Sequence, residues 1–257
     1  MKSVVQKMTN LNEAKMSDSD IKSKPKEGAG DVAHTLVKAG LSAIPVIGGP
    51  AAEIFSAIID PPLYKRRNEW IESIAKGLTT LEKKIDDFNI EALSQNEMFI
   101  TTVMHASQAA IRNHQKEKLE ALRNAVLNAA LPNAPEEDIQ LMFLVFVDTH
   151  TPLHLRLLKF FDNPQEWGRK NGITYPNWSM GGLSTVLEHT FPELRGRRDF
   201  YDQIAKDLFV RGLMNTESLH GTMSSEGMFA SRTTTMGKQF INFITSPIEN
   251  DDEKQQG

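Results

Sequence analysis

The feature that most constrains this chain is a nearly uncharged apolar block between Val32 and Ile59. Its only charged residues are Lys38 and Glu53. Prolines and glycines cluster at positions 45–50 within the block, and such a cluster favours a turn. The pattern therefore predicts two apolar pieces joined by a tight connection.

The two pieces, Asp31–Ile44 and Ala51–Ile59, predict a short apolar helical hairpin that ends at the Asp-Pro-Pro sequence of residues 60–62. Asp31 is a suitable N-cap for the first helix, and Pro50 is a suitable first-turn residue for the second. The longer piece would extend about 21 Å as a helix, which is less than the roughly 30 Å of a hydrocarbon core. We therefore expect no ordinary transmembrane helix from it.

Two interpretations of this hairpin stay open. It is either a core element wrapped by neighbouring helices or a segment that binds a membrane or a partner after a trigger. A basic cluster directly after the hairpin suits an interface with anionic lipid. The residues predicted for membrane or partner binding are Ile44, Val46, Ile47, Ile54, Phe55, Ile58, Ile59, Lys65, Arg66 and Arg67.

The remaining composition divides the chain into four segments. Residues 1–28 are polar and predict a flexible arm. Residues 29–131 hold the apolar hairpin and a region of long helices. Residues 132–247 predict a winged-helix-like domain, and residues 248–257 form an acidic tail.

Two long helices are predicted in the second segment. Over residues 63–88, apolar residues recur at spacings of three and four with charged residues between them, which predicts one buried helix face. Residues 97–131 have a similar apolar face with an alanine-rich middle that permits close approach of a neighbour. A connection at residues 89–96 would make the two helices an antiparallel hairpin.

The third segment begins with helix-start signals. Acidic residues follow a proline within residues 133–138, and Thr151-Pro152 places a capping residue before a first-turn proline. Residues 163–182 predict a loop. Two further helices are expected at Leu183–Thr190 and Arg198–Gly212, the latter ended by its glycine.

The last part of that segment predicts a small two-stranded wing. Residues 213–219 and 228–235 would pair as strands, and residues 235–244 would close the domain as a short helix. This order resembles bacterial winged-helix proteins. The fold class is therefore mainly α, with an N-terminal apolar helical hairpin, long antiparallel helices and a winged-helix-like C-terminal region.

Catalytic signals are lacking. The chain has no cysteine, and therefore neither a thiol nucleophile nor a cysteine-ligated metal. No phosphate-binding glycine motif or nucleophile elbow occurs. His150 and His154 are four residues apart, but a new helix starts between them, which favours helix-cap or surface roles over zinc. We expect no enzyme, no cofactor, no metal and no small-molecule substrate.

Nucleic-acid binding is the alternative function. The helix predicted from residue 198 would occupy the recognition position of a winged helix, and its candidate contacts are Arg197, Arg198, Lys206 and Arg211. Its acidic residues nearly balance these cations, whereas a helix for the major groove normally carries a basic excess. The pattern favours packing against protein over binding DNA.

Three features together have a familiar layout: the apolar hairpin, the long charged helix, and the stretch Glu117–Asn128 (EKLEALRNAVLN), which leads towards His150–Leu158 (HTPLHLRLL). Over about residues 30–162 this order resembles uncharacterised bacterial proteins of the abortive-infection alpha type. The resemblance implies a bacterial cytoplasmic protein linked to phage defence. It implies no catalytic residue.

The sequence thus predicts a non-enzymatic interaction or effector protein whose apolar hairpin acts on a membrane or a partner. A winged-helix DNA-binding regulator is the alternative. The expected partners are another protein or a second copy of the chain, a membrane surface, and, less favoured, nucleic acid. The absence of cysteine and of an apolar stretch at the N-terminus favours the cytoplasm, with peripheral membrane binding on activation.

Overall fold

A computed structural model describes the backbone of residues 50–248 and the side chains of residues 62–248. Within this part the chain is mainly helical, as predicted, with one two-stranded antiparallel sheet. The predicted arm, the acidic tail and the first helix of the apolar hairpin lie outside the described residues.

The helices, in chain order, are α1 Pro50–Lys84, α2 Ile90–Leu93, α3 Glu97–Arg112, α4 Lys116–Ala129, α5 Glu137–Thr149, α6 Pro152–Asp162, α7 Pro164–Lys170, α8 Leu183–Thr190, α9 Arg198–Val210, α10 Ser225–Phe229 and α11 Thr235–Phe243. The strands are β1 Met180–Gly181 and β2 Met223–Ser224, and a 3₁₀ turn spans Pro192–Leu194.

Helix α1 runs without interruption through residues 60–62, so the predicted end of the apolar segment there is wrong. A proline keeps a helical φ and removes one amide donor, and it therefore weakens a helix without always ending it. At its other end α1 stops at Lys84 rather than residue 88. Asp87 adopts the left-handed conformation (φ 68°), which the helix cannot continue.

The helix predicted over residues 97–131 is instead two helices, α3 and α4. Asn113 follows α3 in an extended conformation, and its side-chain amide donates to the Ala109 carbonyl at 2.8 Å. The chain reverses over residues 113–115, and α3 and α4 pack along each other. The hairpin is therefore made by α3 and α4, with α1 packed on both.

The core of this half confirms the predicted apolar seam of α1. Ile71, Ile74, Leu78 and Leu81 are all buried. They meet the small and branched side chains of α3 and α4, and α5 packs against the same two helices. The hydrophobic residues of this four-helix group are continuous with the rest of the core.

In the C-terminal half, helix starts are predicted better than loops. Helix α6 begins at Pro152 and α8 has the predicted bounds, whereas α9 ends at Val210, two residues early. Helix α7 lies in a segment predicted to be a loop. The Asn163 side chain caps it and Pro164 takes its first position, which is the same signal as at Thr151-Pro152.

The strands differ from those predicted. Met180 pairs with Ser224 and Gly181 with Met223, outside the predicted strand segments. Between the predicted segments there is a single bridge, Met214 to Thr233. The segment after residue 228 is partly helical because Ser224 caps α10.

Helix α11 joins the two halves of the molecule. Its C-terminal carbonyls accept hydrogen bonds from α4: Asn128 Nδ2 donates to Phe243 at 2.9 Å and to Thr245 at 2.8 Å. On the other side, Phe143 of α5 packs against the rings of Phe240 and Phe243. These contacts hold α6 and α9 against the four-helix group.

Candidate functional site

Helix α9 buries one side and leaves the other open. Tyr201, Ile204, Ala205 and Leu208 recur at spacings of three and four and are buried. Gly212, with φ 72°, ends the helical run. The Tyr201 hydroxyl donates to Glu188 Oε1 at 2.8 Å, which ties α9 to α8, and burial raises the pKa of Tyr201 to about 12.

The open side of α9 forms one wall of a surface groove of about 450 Å³. The segment of residues 217–220 forms the other wall. We call this feature the α9 groove. It is lined by Arg198, Asp199, Asp202, Gln203, Lys206, Glu217, Ser218 and His220.

Asp202 organises the α9 groove. His220 Nε2 lies 2.8 Å and 2.9 Å from its two carboxylate oxygens, so Nε2 carries the hydrogen and donates to the acceptor-only carboxylate. Arg198 Nε lies 3.4 Å from the same carboxylate. The α9 groove therefore carries charges of both signs, since the cation Lys206 lines it together with the carboxylates of Asp199 and Glu217.

Apolar side chains extend this surface. Phe209 and Val210 lie three and four residues after Lys206, on the same side of α9, and Val210 is 72% exposed. Phe200 is 41% exposed beside Gln203. We call the α9 groove together with Phe200, Phe209 and Val210 the α9 face.

The four predicted nucleic-acid contacts are all exposed, but they do not form one patch. Arg198 and Lys206 share the α9 groove. Arg197 lies over the Phe200 ring at 4.3 Å, whereas Arg211 lies over the Phe146 ring of α5 at 5.3 Å. These two mark opposite ends of α9, about 20 Å apart along the helix.

The residues predicted for membrane or partner binding are only partly described. Ile44, Val46 and Ile47 lie outside the described residues. Ile54, Phe55, Ile58 and Ile59 lie on α1 before Pro62, the first residue with a described side chain.

The basic cluster after them is divided between surface and structural contacts. Lys65 is exposed and pairs with Glu69 at 3.8 Å. Arg66 Nη1 donates to the Ile111 carbonyl near the end of α3 at 3.4 Å, and Arg67 is half-buried. Of the three, Lys65 is the cation most open to solvent.

The structure also reveals a polar cluster that sequence reasoning did not find. His150 and His154 are buried, at 4% and 8% exposure, with ring centroids 4.8 Å apart. Of the two roles expected for the pair, helix-cap or surface, the structure supports the first: His150 is the C-cap of α5, and His154 Nδ1 accepts from the Thr151 backbone N–H in the first turn of α6. His154 Nε2 lies 3.3 Å from Asp207 Oδ2 of α9.

Burial dominates the electrostatics of this cluster. Burial, and after it the neighbouring His154, lower the pKa of His150 to about 4. Burial also lowers the pKa of His154, against the opposing effect of Asp207. The spacing of the two histidines was visible in the sequence, but the closeness of α9 was not.

Among residues 62–248, no group of three or more histidine, aspartate or glutamate side chains is arranged to hold a metal ion. In the described part of the chain, no helix has the length and apolarity needed to cross a membrane.

Comparison with known proteins finds no matching family model, no matching curated protein and no matching solved structure.

Proposed function

We propose that this chain is a non-enzymatic interaction protein that binds a partner protein through the α9 face. The observation that carries the proposal is the combination, on one helix, of a groove with both charge signs and exposed apolar side chains. Protein-binding surfaces combine exposed apolar and polar side chains, and here Phe200 and Phe209 flank the polar α9 groove on opposite edges of the helix. In this proposal the C-terminal region is winged-helix-like, and α9 takes the recognition position.

The α9 face favours a protein partner over nucleic acid. Asp199, Asp202 and Glu217 line the α9 groove, and their carboxylates would repel a phosphate backbone. Arg211, at the far end of α9, is engaged with the Phe146 ring. The partner that fits is a peptide segment with acidic and basic residues around an apolar side chain.

The apolar segment Val32–Ile59 is a second proposed contact, with a membrane or a partner after a trigger. Its support is the low charge of the segment and the exposed Lys65 shortly after it. The resemblance to abortive-infection proteins supports a role in bacterial phage defence in the cytoplasm.

The α9 face is tested with the full chain as bait in a bacterial lysate, followed by affinity measurement with the purified partner. The double variant Lys206→Glu, Val210→Asp reverses one charge and inserts another at the centre of the face. We expect it to weaken binding at least about tenfold. The matched control is Lys238→Glu, Val145→Asp, which makes the same changes at exposed positions on α11 and α5.

Equal binding by both double variants would remove the α9 face from the proposal. A salt-dependent gel shift with duplex DNA, abolished by Arg198→Glu and Lys206→Glu, would replace it with the DNA-binding alternative. We expect no such shift.

The membrane contact is tested by flotation and dye release with phosphatidylglycerol vesicles and with phosphatidylcholine vesicles. We expect flotation with the anionic vesicles only, reduced by Lys65→Glu and unchanged by Lys238→Glu. Absence of binding, both for the full chain and after removal of residues 1–28, would exclude the membrane version while leaving the α9 face untouched.

A further inference from the structure

The junction between α5 and α6 contains a buried histidine, His150. In the described part of the chain, neither of its ring nitrogens has a partner at normal hydrogen-bonding distance and angle. Its ring packs edge-on against Phe146 at 5.9 Å and against His154 at 4.8 Å. A charge on this ring would be only partly compensated, by the Phe146 backbone and by Asp207, so its burial costs free energy.

The hydrogen bonds of His154 determine its tautomer. The Thr151 backbone N–H donates to His154 Nδ1 at 3.3 Å, and Thr151 Oγ1 lies 2.8 Å from the same nitrogen. Nδ1 is therefore an acceptor, and Nε2 carries the hydrogen that points at Asp207 Oδ2. Adding a proton to Nδ1 would place two donors against each other.

The charged groups around His150 come from two helices. From α9, Arg211 opposes a positive charge on His150 and Asp207 favours it, and from α6, His154 opposes it. The Asp207 carboxylate is shared, because Gln203 Nε2 donates to its other oxygen at 2.7 Å. From α11 the ring of Phe240 packs against Phe146 and contributes no charge.

We propose that His150 and His154 form an acid-sensitive latch between the α5–α6 junction and the C-terminal half of α9. When neutral, the pair packs with Phe146 and holds Asp207. When protonated, two adjacent cations face Arg211 in a buried site, and α9 separates from the junction so that water can solvate them. The latch would thus control the α9 face proposed to bind a partner, but its opening does not require that partner.

The test is hydrogen exchange in the full chain, read on peptides covering residues 203–211 at pH 7 and pH 5 and corrected for intrinsic exchange. Burial lowers the folded-state pKa of His150 to about 4, whereas an exposed histidine titrates near 6.5. The open state takes up the proton first as pH falls, so titration of His150 alone should raise the opening constant about 20-fold between pH 7 and pH 5, and His154 should add to this rise. Peptides of α3 should not respond.

The variant His150→Phe keeps an aromatic ring and removes the titrating group. We expect the rise to lose the roughly 20-fold part due to His150 and to keep only the part due to His154. Arg211→Gln removes a cation that opposes the charge on His150, and it should also reduce the rise. The control His114→Gln, at an exposed histidine of the α3–α4 connection, should keep the full response.

An unchanged opening constant between pH 7 and pH 5 in the unmodified chain would overturn the latch. So would a full rise that persists in both His150→Phe and Arg211→Gln. If His150→Phe does not fold, the change in the opening constant of Arg211→Gln between pH 7 and pH 5 is the test of the latch. Partner binding that Lys206→Glu, Val210→Asp does not weaken, together with a normal exchange response, would instead count against the α9 face and leave the latch standing.

Discussion

The four-helix group of α1, α3, α4 and α5 and the region of α6 to α11 are joined by different kinds of long-range contact. In the first, side chains fill the space between helices and also make the buried hydrogen bonds, as Trp70 Nε1 does when it donates to Ser107 Oγ at 2.8 Å. In the second, backbone groups far apart in the chain bond directly: Arg232 N donates to the Phe161 carbonyl at 2.8 Å, and Thr234 N donates to the Leu213 carbonyl at 3.0 Å.

The difference has a physical consequence. Side chains can change rotamer to accommodate a small change of shape, whereas a backbone segment cannot shift without losing the hydrogen bonds that hold it. We therefore expect the four-helix group to tolerate small substitutions that the C-terminal region does not. The α9 face lies in the second region, and the histidine latch lies at the boundary between the two.

The largest effect is expected at the joint between the two regions. Phe143 is fully buried and contacts the rings of Phe146, Phe240 and Phe243. Phe143→Ala should lower the free energy of unfolding by about 3–5 kcal/mol through lost burial and a cavity. Denaturant unfolding with near- and far-ultraviolet circular dichroism would measure it. Val145→Ala, at an exposed position two residues later, should change it by less than about 0.5 kcal/mol.

The next effect compares one glycine from each region. A Cβ at Gly237 would collide with the Leu213 backbone carbonyl oxygen, whereas a Cβ at Gly77 would approach the Leu127 side chain to 2.8 Å. The Leu213 backbone cannot move away from the added methyl group, whereas the Leu127 side chain can change rotamer. Gly237→Ala should therefore cost about 1–3 kcal/mol.

For Gly77→Ala we expect a change near zero, because helix propensity offsets the crowding by about 1 kcal/mol. Gly221→Ala, where a Cβ meets open space, is the neutral control. Thermal unfolding of the three variants would decide the comparison. A larger loss at Gly77 than at Gly237 would contradict the proposed difference between the regions.

A smaller effect is expected where a polar bond joins the two regions. Asn128 Nδ2 donates to carbonyls at the end of α11, and Asn128→Ala leaves them without that donor. The expected loss is about 1–2 kcal/mol. Asn215→Ala, at an exposed position, should be neutral. Equal stability of the two variants would show that water can replace the Asn128 amide as the hydrogen-bond donor to these carbonyls.

The smallest effect is expected on the surface of α1. Lys65 and Glu69 form an exposed ion pair at 3.8 Å. Glu69→Gln should change the free energy of unfolding by less than about 0.5 kcal/mol, and added salt should reduce even that difference. A loss above about 1 kcal/mol would show that this exposed pair stabilises the four-helix group more than surface ion pairs usually do.

Local signals in the sequence predicted helices well and pairings poorly. The apolar seam of α1 and the Thr151-Pro152 start of α6 depend on neighbours within one or two turns, and both are confirmed. The predicted pairing of residues 213–219 with 228–235 is reduced to the Met214–Thr233 bridge, and β1 and β2 were missed because strands of two residues leave no alternating pattern to read. The break at residues 113–115 was missed although the apolar pattern shifts there: Ala110 and Leu119 are nine residues apart, which would place them on opposite sides of one continuous helix.

The sequence by itself determined the helical class, the buried face of α1 and the exposed cations of α9, since periodicity and charge are local properties. Only the tertiary structure decided that Asp202 and His220 meet across a groove, and that His150, His154 and Asp207 share one junction. Burial and pKa depend on groups that are distant in the chain, such as Arg211 beside His150. No spacing within a single helix carries that information.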